Sequence, residues 1–301
     1  MTTLSILLPT YNDDCTALVK ALAQQAGHID GLQWELIVAD DVSTDRRVVE
    51  ANRSIARLPH CQYLPKPTND GRAAIRNFLV SHAKGQWLLL IDADLTIVDS
   101  QLLRHYAEAI GSADIVCGGY RVTPGPSGNL RYRYEWKARR LQQAGYRSRH
   151  PWANFKVSNT LFRREVLLSH PFDEHFQKYG YEDVLLGRQL EKAGCSIRHI
   201  DAPVGFSRFE PNGSFLGKTL EAMDTLCEFH SELASLSPLL RLADRLSGTW
   251  IGGLIRRRFS RRESQWRRNL LSDNPSLLLF RLYKLGYLLT RLPSSEPEAR
   301  P

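Results

Sequence analysis

Short apolar runs, each ended by polar residues, alternate with stretches of mixed character through the first 120 positions. LSILL at 4–8 is stopped by Pro9, and Thr10-Tyr11-Asn12-Asp13 is turn chemistry before a helical pattern that reaches about position 25. WELIVA at 34–39 ends in Asp40-Asp41. Positions 61–64 read as a third, short strand, and Asn69-Asp70-Gly71 as a turn before a helix over about 72–83. The run 87–91 is the next strand, 100–110 the next helix and 114–118 a further strand. Short, fully apolar strands alternating with helices predict a parallel sheet covered on both faces, a doubly wound α/β fold.

From about 123 to 151 the pattern breaks. TPGPSGNL is a loop, and RYRYEWKARRLQQAGYRSRH is basic and aromatic with a helical hint. FKVSNTLF at 155–162 is strand-like, and a short helix follows. In FDEHFQKYGYEDVLLGRQLEKAG a loop feeds an amphipathic helix ended by Gly194. SIRHIDAPV at 196–204 reads as a strand broken at Pro203. Helical patterns then run over 216–258 and 277–292, and SSEPEARP at 294–301 has the composition of a disordered tail.

Composition adds little until charge is considered. A 301-residue chain with 43% hydrophobic and 24% charged residues is ordinary for a globular protein. The formal charge of +8 favours acidic partners. Five scattered cysteines (15, 61, 117, 195 and 227) show no zinc spacing and read as reduced thiols, which fits the cytoplasm. The opening residues lack the pattern of a signal peptide, and no apolar stretch is long enough to predict a spanning helix.

The chemistry gathers at strand ends. Open α/β sheets bind ligands outside the carboxyl ends of their strands. Here three such ends carry polar clusters: Thr10-Tyr11-Asn12, Asp40-Asp41 and Asp92-Ala93-Asp94. Any one of them could be a helix cap. Three on one rim point to a ligand. Two aspartates at i and i+2 of a strict strand would point the same way and converge on one hard cation such as Mg²⁺ or Mn²⁺.

Together these pieces resemble the family 2 glycosyltransferases, inverting enzymes of the GT-A fold that use nucleotide-sugar donors. The matching stretches are SILLPTYN, LIVADDVSTD, NDGRAAIRN, WLLLIDADL and FDEHFQKYGYEDVLLGRQLEKAG, in that order, over roughly positions 4–205. HIDAPV with the later FLGKTLEAMDTL resembles a bacterial polysaccharide-type subgroup. The resemblance implies a GT-A Rossmann-like, mostly parallel sheet with flanking helices and a C-terminal helical extension. Its expected layout is a catalytic domain over 1–212, with a nucleotide-binding half over about 1–120 and an acceptor half over about 121–212, then a basic helical extension over 213–293.

Residue by residue, the resemblance implies that Pro9, Tyr11 and Asn12 line the nucleotide pocket. Asp41 would accept the N3–H of a uracil-type base, with Asp40 beside it. Arg72 and Arg76 would lie near base or diphosphate, Asp92 and Ala93 near the ribose and metal, and Asp94 would be the direct ligand of Mn²⁺ or Mg²⁺, with Asp92 assisting. Asp183 would be the catalytic base and Glu182 would shape the acceptor site. Two departures stand out. Val42 follows the acids where the family has a small residue, and Phe206 stands about where the subgroup often has a histidine. His199, on the preceding strand, reads as a satisfied structural histidine.

The chemistry agrees with those roles. Inverting transfer needs in-line attack by an acceptor hydroxyl, a carboxylate to take its proton, and neutralisation of a leaving diphosphate. A sugar-phosphate nucleotidyltransferase is an alternative that would be expected to carry a glycine-rich loop after the first strand, and PTYNDDC has no glycine. A second alternative is a membrane-bound nucleotide-sugar- or glycan-binding protein without catalysis.

In the last third, RRRFSRRESQWRR carries seven arginines against one glutamate. Interleaved with Trp250, Ile251, Leu254, Ile255, Phe259 and Trp266, they predict a helix lying in an anionic membrane interface through the 256–268 segment. Such a chain would sit peripherally on the cytoplasmic face, acting on a glycan or lipid-linked glycan. No nucleic-acid motif accompanies the charge, so no nucleic-acid partner is expected.

Overall fold

A computed structural model describes residues 3–292, so the tail expected at 294–301 lies outside the described residues. In chain order the elements are β1 (Thr3–Thr10), α1 (Thr16–Gly27), β2 (Gln33–Asp40), α2 (Arg46–Arg53), β3 (Cys61–Pro65), α3 (Gly71–His82), β4 (Trp87–Ile91), β5 (Thr96–Ile97), α4 (Leu102–Ala109), β6 (Ile115–Cys117) and β7 (Tyr120–Val122). Then follow α5 (Leu130–Ala138), α6 (Ala144–Arg147), β8 (Asn159–Arg163), α7 (Arg164–Ser169), α8 (Glu182–Lys192), β9 (Ile197–His199) and β10 (Val204–Phe206). The last helices are α9 (Asn212–Glu228), α10 (His230–Leu233), α11 (Pro238–Ser247), α12 (Trp250–Leu271) and α13 (Leu277–Arg291).

These elements form two compact units. The first comprises residues 3–123, Ala138–Gln177 and Glu182–Arg208. It holds a seven-stranded sheet of order β3-β2-β1-β4-β8-β6-β9 and a small sheet of order β5-β10-β7. In the large sheet only β8 runs antiparallel to its neighbours, β4 and β6. The sheet is therefore mostly parallel, as expected. Leu7, Ile37, Leu88 and Leu90 from its strands meet Ile75 and Leu79 of α3 and Leu186 and Leu190 of α8 in one buried cluster. Each such side chain contributes about 1.5–3 kcal/mol when fully buried.

Several boundaries differ from the sequence reading. Pro9 does not stop β1: it pairs with Ala39 of β2. Pairing of β1 with β4 covers only Leu4 to Leu7, so at Pro9 the strand has one neighbour and the missing N–H is tolerated. The strand expected over FKVSNTLF is shorter, because Phe155 and Val157 pack into the core without joining the ladder. SIRHIDAPV divides between β9 and β10, which lie in different sheets.

The second unit comprises Pro124–Lys137, Lys178–Tyr181 and residues 209–292. Its helical run breaks where the caps stand. Ser237 caps α11 with Pro238 at its first position, and Thr249 caps α12 by accepting from the Gly252 N–H. Phe259, Trp266 and Leu270 of α12 pack on Phe280 and Tyr283 of α13 and on Leu130 and Leu216. Gly286 permits this approach, since a Cβ there would lie 2.6 Å from the Phe259 ring. Phe259 and Trp266 are thus core residues, which corrects their expected place on a membrane-facing stripe. The helix packs one face from Phe259 onward and exposes Trp250, Ile251 and Leu254 in its first turns. No helix among the described residues is long and apolar enough to cross a membrane.

Candidate active site

The parallel register brings the carboxyl ends of β1, β2, β3 and β4 to one rim of the first unit. At the β1–β2 end the expected residues lie on neighbouring strands, and most of their polar atoms are taken by other residues. Asn12 Oδ1 accepts from the N–H groups of Thr44 and Asp45 at 2.8 and 2.9 Å, and its own N–H donates to Ser43 Oγ. Asp40, buried, accepts from the Ser43 N–H and from the Tyr63 hydroxyl. These bonds tie down the 43–45 segment and place Asp45 to cap α2. Pro9 is half-buried at the strand end, and Tyr11 is 48% exposed. Of this group, the Tyr11 ring is the one that can offer its face to a planar ligand.

Asp41 is buried and accepts from Lys66 Nζ at 2.9 Å, and the same ammonium lies 3.3 Å from Asp70. Lys66 is thus a partner of a candidate site residue that the sequence reading did not single out. Its signal was faint: a lysine set between two prolines just past β3. Val42, which follows Asp41, has φ +63°. That is the left-handed region, where a β-branched residue is costly and glycine is favoured. The departure from a small residue noted in the sequence therefore has a backbone meaning.

A second cluster centres on Arg76 of α3, which is 4% exposed. Its Nη2 donates to Asp92 Oδ1 at 3.2 Å and its Nη1 to Glu182 Oε1 at 2.9 Å. The Phe172 ring centre lies 5.5 Å from its guanidinium carbon. Burial opposes its charge, but Asp92 and Glu182 outweigh that and hold its pKa above the ordinary arginine value. Arg72, one turn earlier, is exposed on the first turn of α3. Gly71 before it has φ +91°, and a Cβ there would lie 3.0 Å from the Gln177 carbonyl oxygen.

Asp92, Ala93 and Asp94 do not continue the strand. β4 ends at Ile91, and the Leu95 N–H donates to the Asp92 carbonyl, closing a turn. Alternation along a strict strand therefore does not fix how the two aspartates point. Both are half-buried and Ala93 is buried. Asp92 Oδ1 is taken by Arg76, and Oδ2 has no protein partner among the described residues. No cluster of three or more His, Cys, Asp or Glu side chains suited to a metal occurs among the described residues. Two half-buried carboxylates at a turn still fit a hard divalent ion that takes its other ligands from water and phosphate.

Glu182 and Asp183 open α8, in its first turn, where a helix N-terminus favours negative charge. Asp183 is pushed up to about 6. Burial is the main cause and the Glu182 charge adds to it, while Arg76, Lys156 and the Val184 N–H pull the other way. A carboxylate that titrates there can exchange a proton near neutral pH.

His199 plays no part in this cluster. Its Nδ1 lies 2.6 Å from Arg147 Nη1, and its Nε2 donates to the Pro151 carbonyl at 3.0 Å. Burial lowers its pKa, so a neutral ring serves both contacts. Phe206 is a buried residue of β10, with its ring 5.9 Å from that of Tyr120.

Comparison with known proteins agrees with this architecture. The crystal structure of Staphylococcus aureus TarS 1–349 in complex with UDP-GlcNAc superposes with a TM-score of 0.54 at 18% identity, covering 97% of this chain and 90% of that one. The mannosyltransferase PcManGT from Pyrobaculum calidifontis, in complex with GDP-Man and Mn²⁺, gives a TM-score of 0.50 at 17% identity, covering 74% of this chain and 61% of that one. At such identities the likeness is one of fold. In sequence, WcaA of Escherichia coli K12, a glycosyl transferase named for colanic acid biosynthesis, is 29% identical over 126 residues, 38% of this chain and 44% of its own length. The chain spans less than half the length of the first curated relatives it matches. The sequence profile of glycosyl transferase family 2 matches residues 5–170, more than half of the chain, and the chain belongs to that family.

Proposed function

We propose that this protein is an inverting glycosyltransferase that moves a sugar from a nucleoside-diphosphate donor to a hydroxyl of a glycan. The observation that carries this reading is the Asp92–Arg76–Glu182 chain, whose last two members are buried. It joins the strand-end carboxylate expected on the donor side to the acid pair of α8, which the sequence places far apart. Tyr11 stacks on the base, and Asp41, braced by Lys66, accepts its ring N–H, a match for a uracil-type base. Pro9, Asn12 and Asp40 shape the pocket, and Arg72 faces the diphosphate. The acceptor oxygen attacks the anomeric carbon in line, the bond from that carbon to the diphosphate oxygen breaks, and Asp183 takes the hydroxyl proton. Glu182 shapes the acceptor side.

The residues present suit a divalent cation, Mn²⁺ or Mg²⁺, which Asp94 and Asp92 would hold. When bound, such an ion supplies charge neutralisation to the leaving diphosphate. With two carboxylates at most from the protein, the cation's hold would depend on the nucleotide.

The acceptor is read as a saccharide of a polysaccharide pathway, lipid-linked and presented at the cytoplasmic membrane face. Supporting this, the first turns of α12 expose Trp250 (78%), Leu254 (57%) and Ile251, and the following turns expose Arg257, Arg258, Arg261 and Arg262. An apolar tip beside a cationic stripe complements an anionic lipid surface. In this reading the helical 213–293 stretch is the membrane-associating part.

The test is a panel of nucleotide sugars with and without Mn²⁺, read by calorimetric binding and by donor hydrolysis. Binding and slow hydrolysis of one donor are expected. Failure of every nucleotide to bind, in either condition, overturns the reading.

A further inference from the structure

We propose that Arg76 is a positioning residue that ties the donor-side carboxylate Asp92 to the acid pair of α8 and so holds Asp183 in register with the donor. This rests on the glycosyltransferase reading above. The resemblance alone sets Arg76 near base or diphosphate, whereas the geometry points to a strut.

Three observations carry it. First, the two outer nitrogens of the guanidinium are already committed, one to each carboxylate, at 3.2 and 2.9 Å. Second, the side chain is held in place. Phe172 covers the guanidinium, and the neighbouring Asn77 grips the same residue through both its N–H and its carbonyl at 2.9 Å. Third, Arg76 reaches a residue 106 positions away, so it fixes the start of α8 against α3 and the β4 turn. A planar fork can span two carboxylates at fixed geometry, and a lysine ammonium cannot do so equivalently. Asp183, next to Glu182, inherits its placement from that bridge. The charged groups facing it are Glu182, Arg76 and Lys156, with the Val184 N–H at its own helix end.

The experiment compares the wild type with Arg76→Lys, Arg76→Met and Glu182→Gln. It measures UDP affinity by calorimetry with and without Mn²⁺, donor KM, kcat against pH, and thermal unfolding. Arg76→Lys is expected to keep UDP affinity while kcat falls by about 100-fold, the scale of a 1 Å misplacement. Arg76→Met, which also removes the positive charge, is expected to move the acid limb of the kcat profile to higher pH. Arg76→Lys and Glu182→Gln together are expected to cost little more than either alone, since both break one bridge. Should Arg76→Met fail to fold, Arg76→Lys and the double variant carry the test.

UDP affinity that falls in step with kcat/KM would make Arg76 a nucleotide contact and overturn the inference, as would an unchanged kcat in Arg76→Lys or additive losses in the double variant. A wild type that neither binds UDP nor transfers sugar overturns the glycosyltransferase reading itself, and this inference with it. A working wild type with any of the former results sinks only the inference.

Discussion

Arg76 Nη1 donates to Glu182 Oε1 at 2.9 Å, which commits one of two adjacent acids and differentiates the other. Glu182 is buried and committed to Arg76. Asp183 sits beside that pair, half-buried, with its proton affinity raised by burial and by its neighbour.

Asp183→Asn should therefore abolish transfer and leave the donor pocket intact. A lost general base costs about 10²–10⁴-fold in rate. Single-turnover transfer and UDP calorimetry on the same preparation check this. Transfer within tenfold of wild type would remove Asp183 as the base.

The pH dependence has a definite sign. The base works as a carboxylate, so kcat should rise with pH through about 6 and level off above. In stability the same shift acts oppositely. The folded state holds the proton more tightly than the unfolded chain, so this contribution to stability is complete below the ordinary aspartate range and is lost as pH rises through about 6. In the Asp183→Asn variant that pH-dependent part of the unfolding curve should vanish, as read by denaturant titration at pH 5 and pH 8.

Val42 at φ +63° stores backbone strain on the rim. A left-handed conformation costs an L-residue about 1–2 kcal/mol, and glycine returns about 0.5–1 kcal/mol of that in chain entropy. Val42→Gly should thus be neutral to stabilising by about 1 kcal/mol, where a Val→Gly change elsewhere in a strand or helix destabilises. Denaturant unfolding measures it, and a clear loss of stability would show that the exposed Val42 side chain contributes more than its backbone costs.

Trp250→Ser with Leu254→Ser should weaken cosedimentation with vesicles containing phosphatidylglycerol while the melting temperature stays unchanged, because both side chains face solvent. Replacing Arg257, Arg258, Arg261 and Arg262 by Gln should remove the dependence on anionic lipid, at about 1 kcal/mol per arginine. Phe259→Ser, by contrast, should unfold the helical unit, since that ring lies in its core. Equal binding to neutral and anionic vesicles, or none by the wild type, would dispose of the membrane surface.

The sequence by itself determined the sheet and its rim. Short apolar runs of four to six residues read as strands buried on both faces, so the strands up to β4, their parallel sense and the polar clusters at their ends followed from periodicity and turn chemistry. The order of the motifs carried the family. Tertiary structure alone decided what each polar residue does there. Asn12, Asp40 and Asp92 were legible as rim residues, but their partners (Thr44 and Asp45, Tyr63, and Arg76 with Glu182) come from other elements, and no local pattern encodes such long-range pairing. The same holds for α12, where arginines and aromatics read as one amphipathic stripe. Packing against α13 buried Phe259 and Trp266 and left Trp250 and Leu254 outside, because a helix wheel gives the faces and only a neighbouring helix decides which stretch of a face is covered.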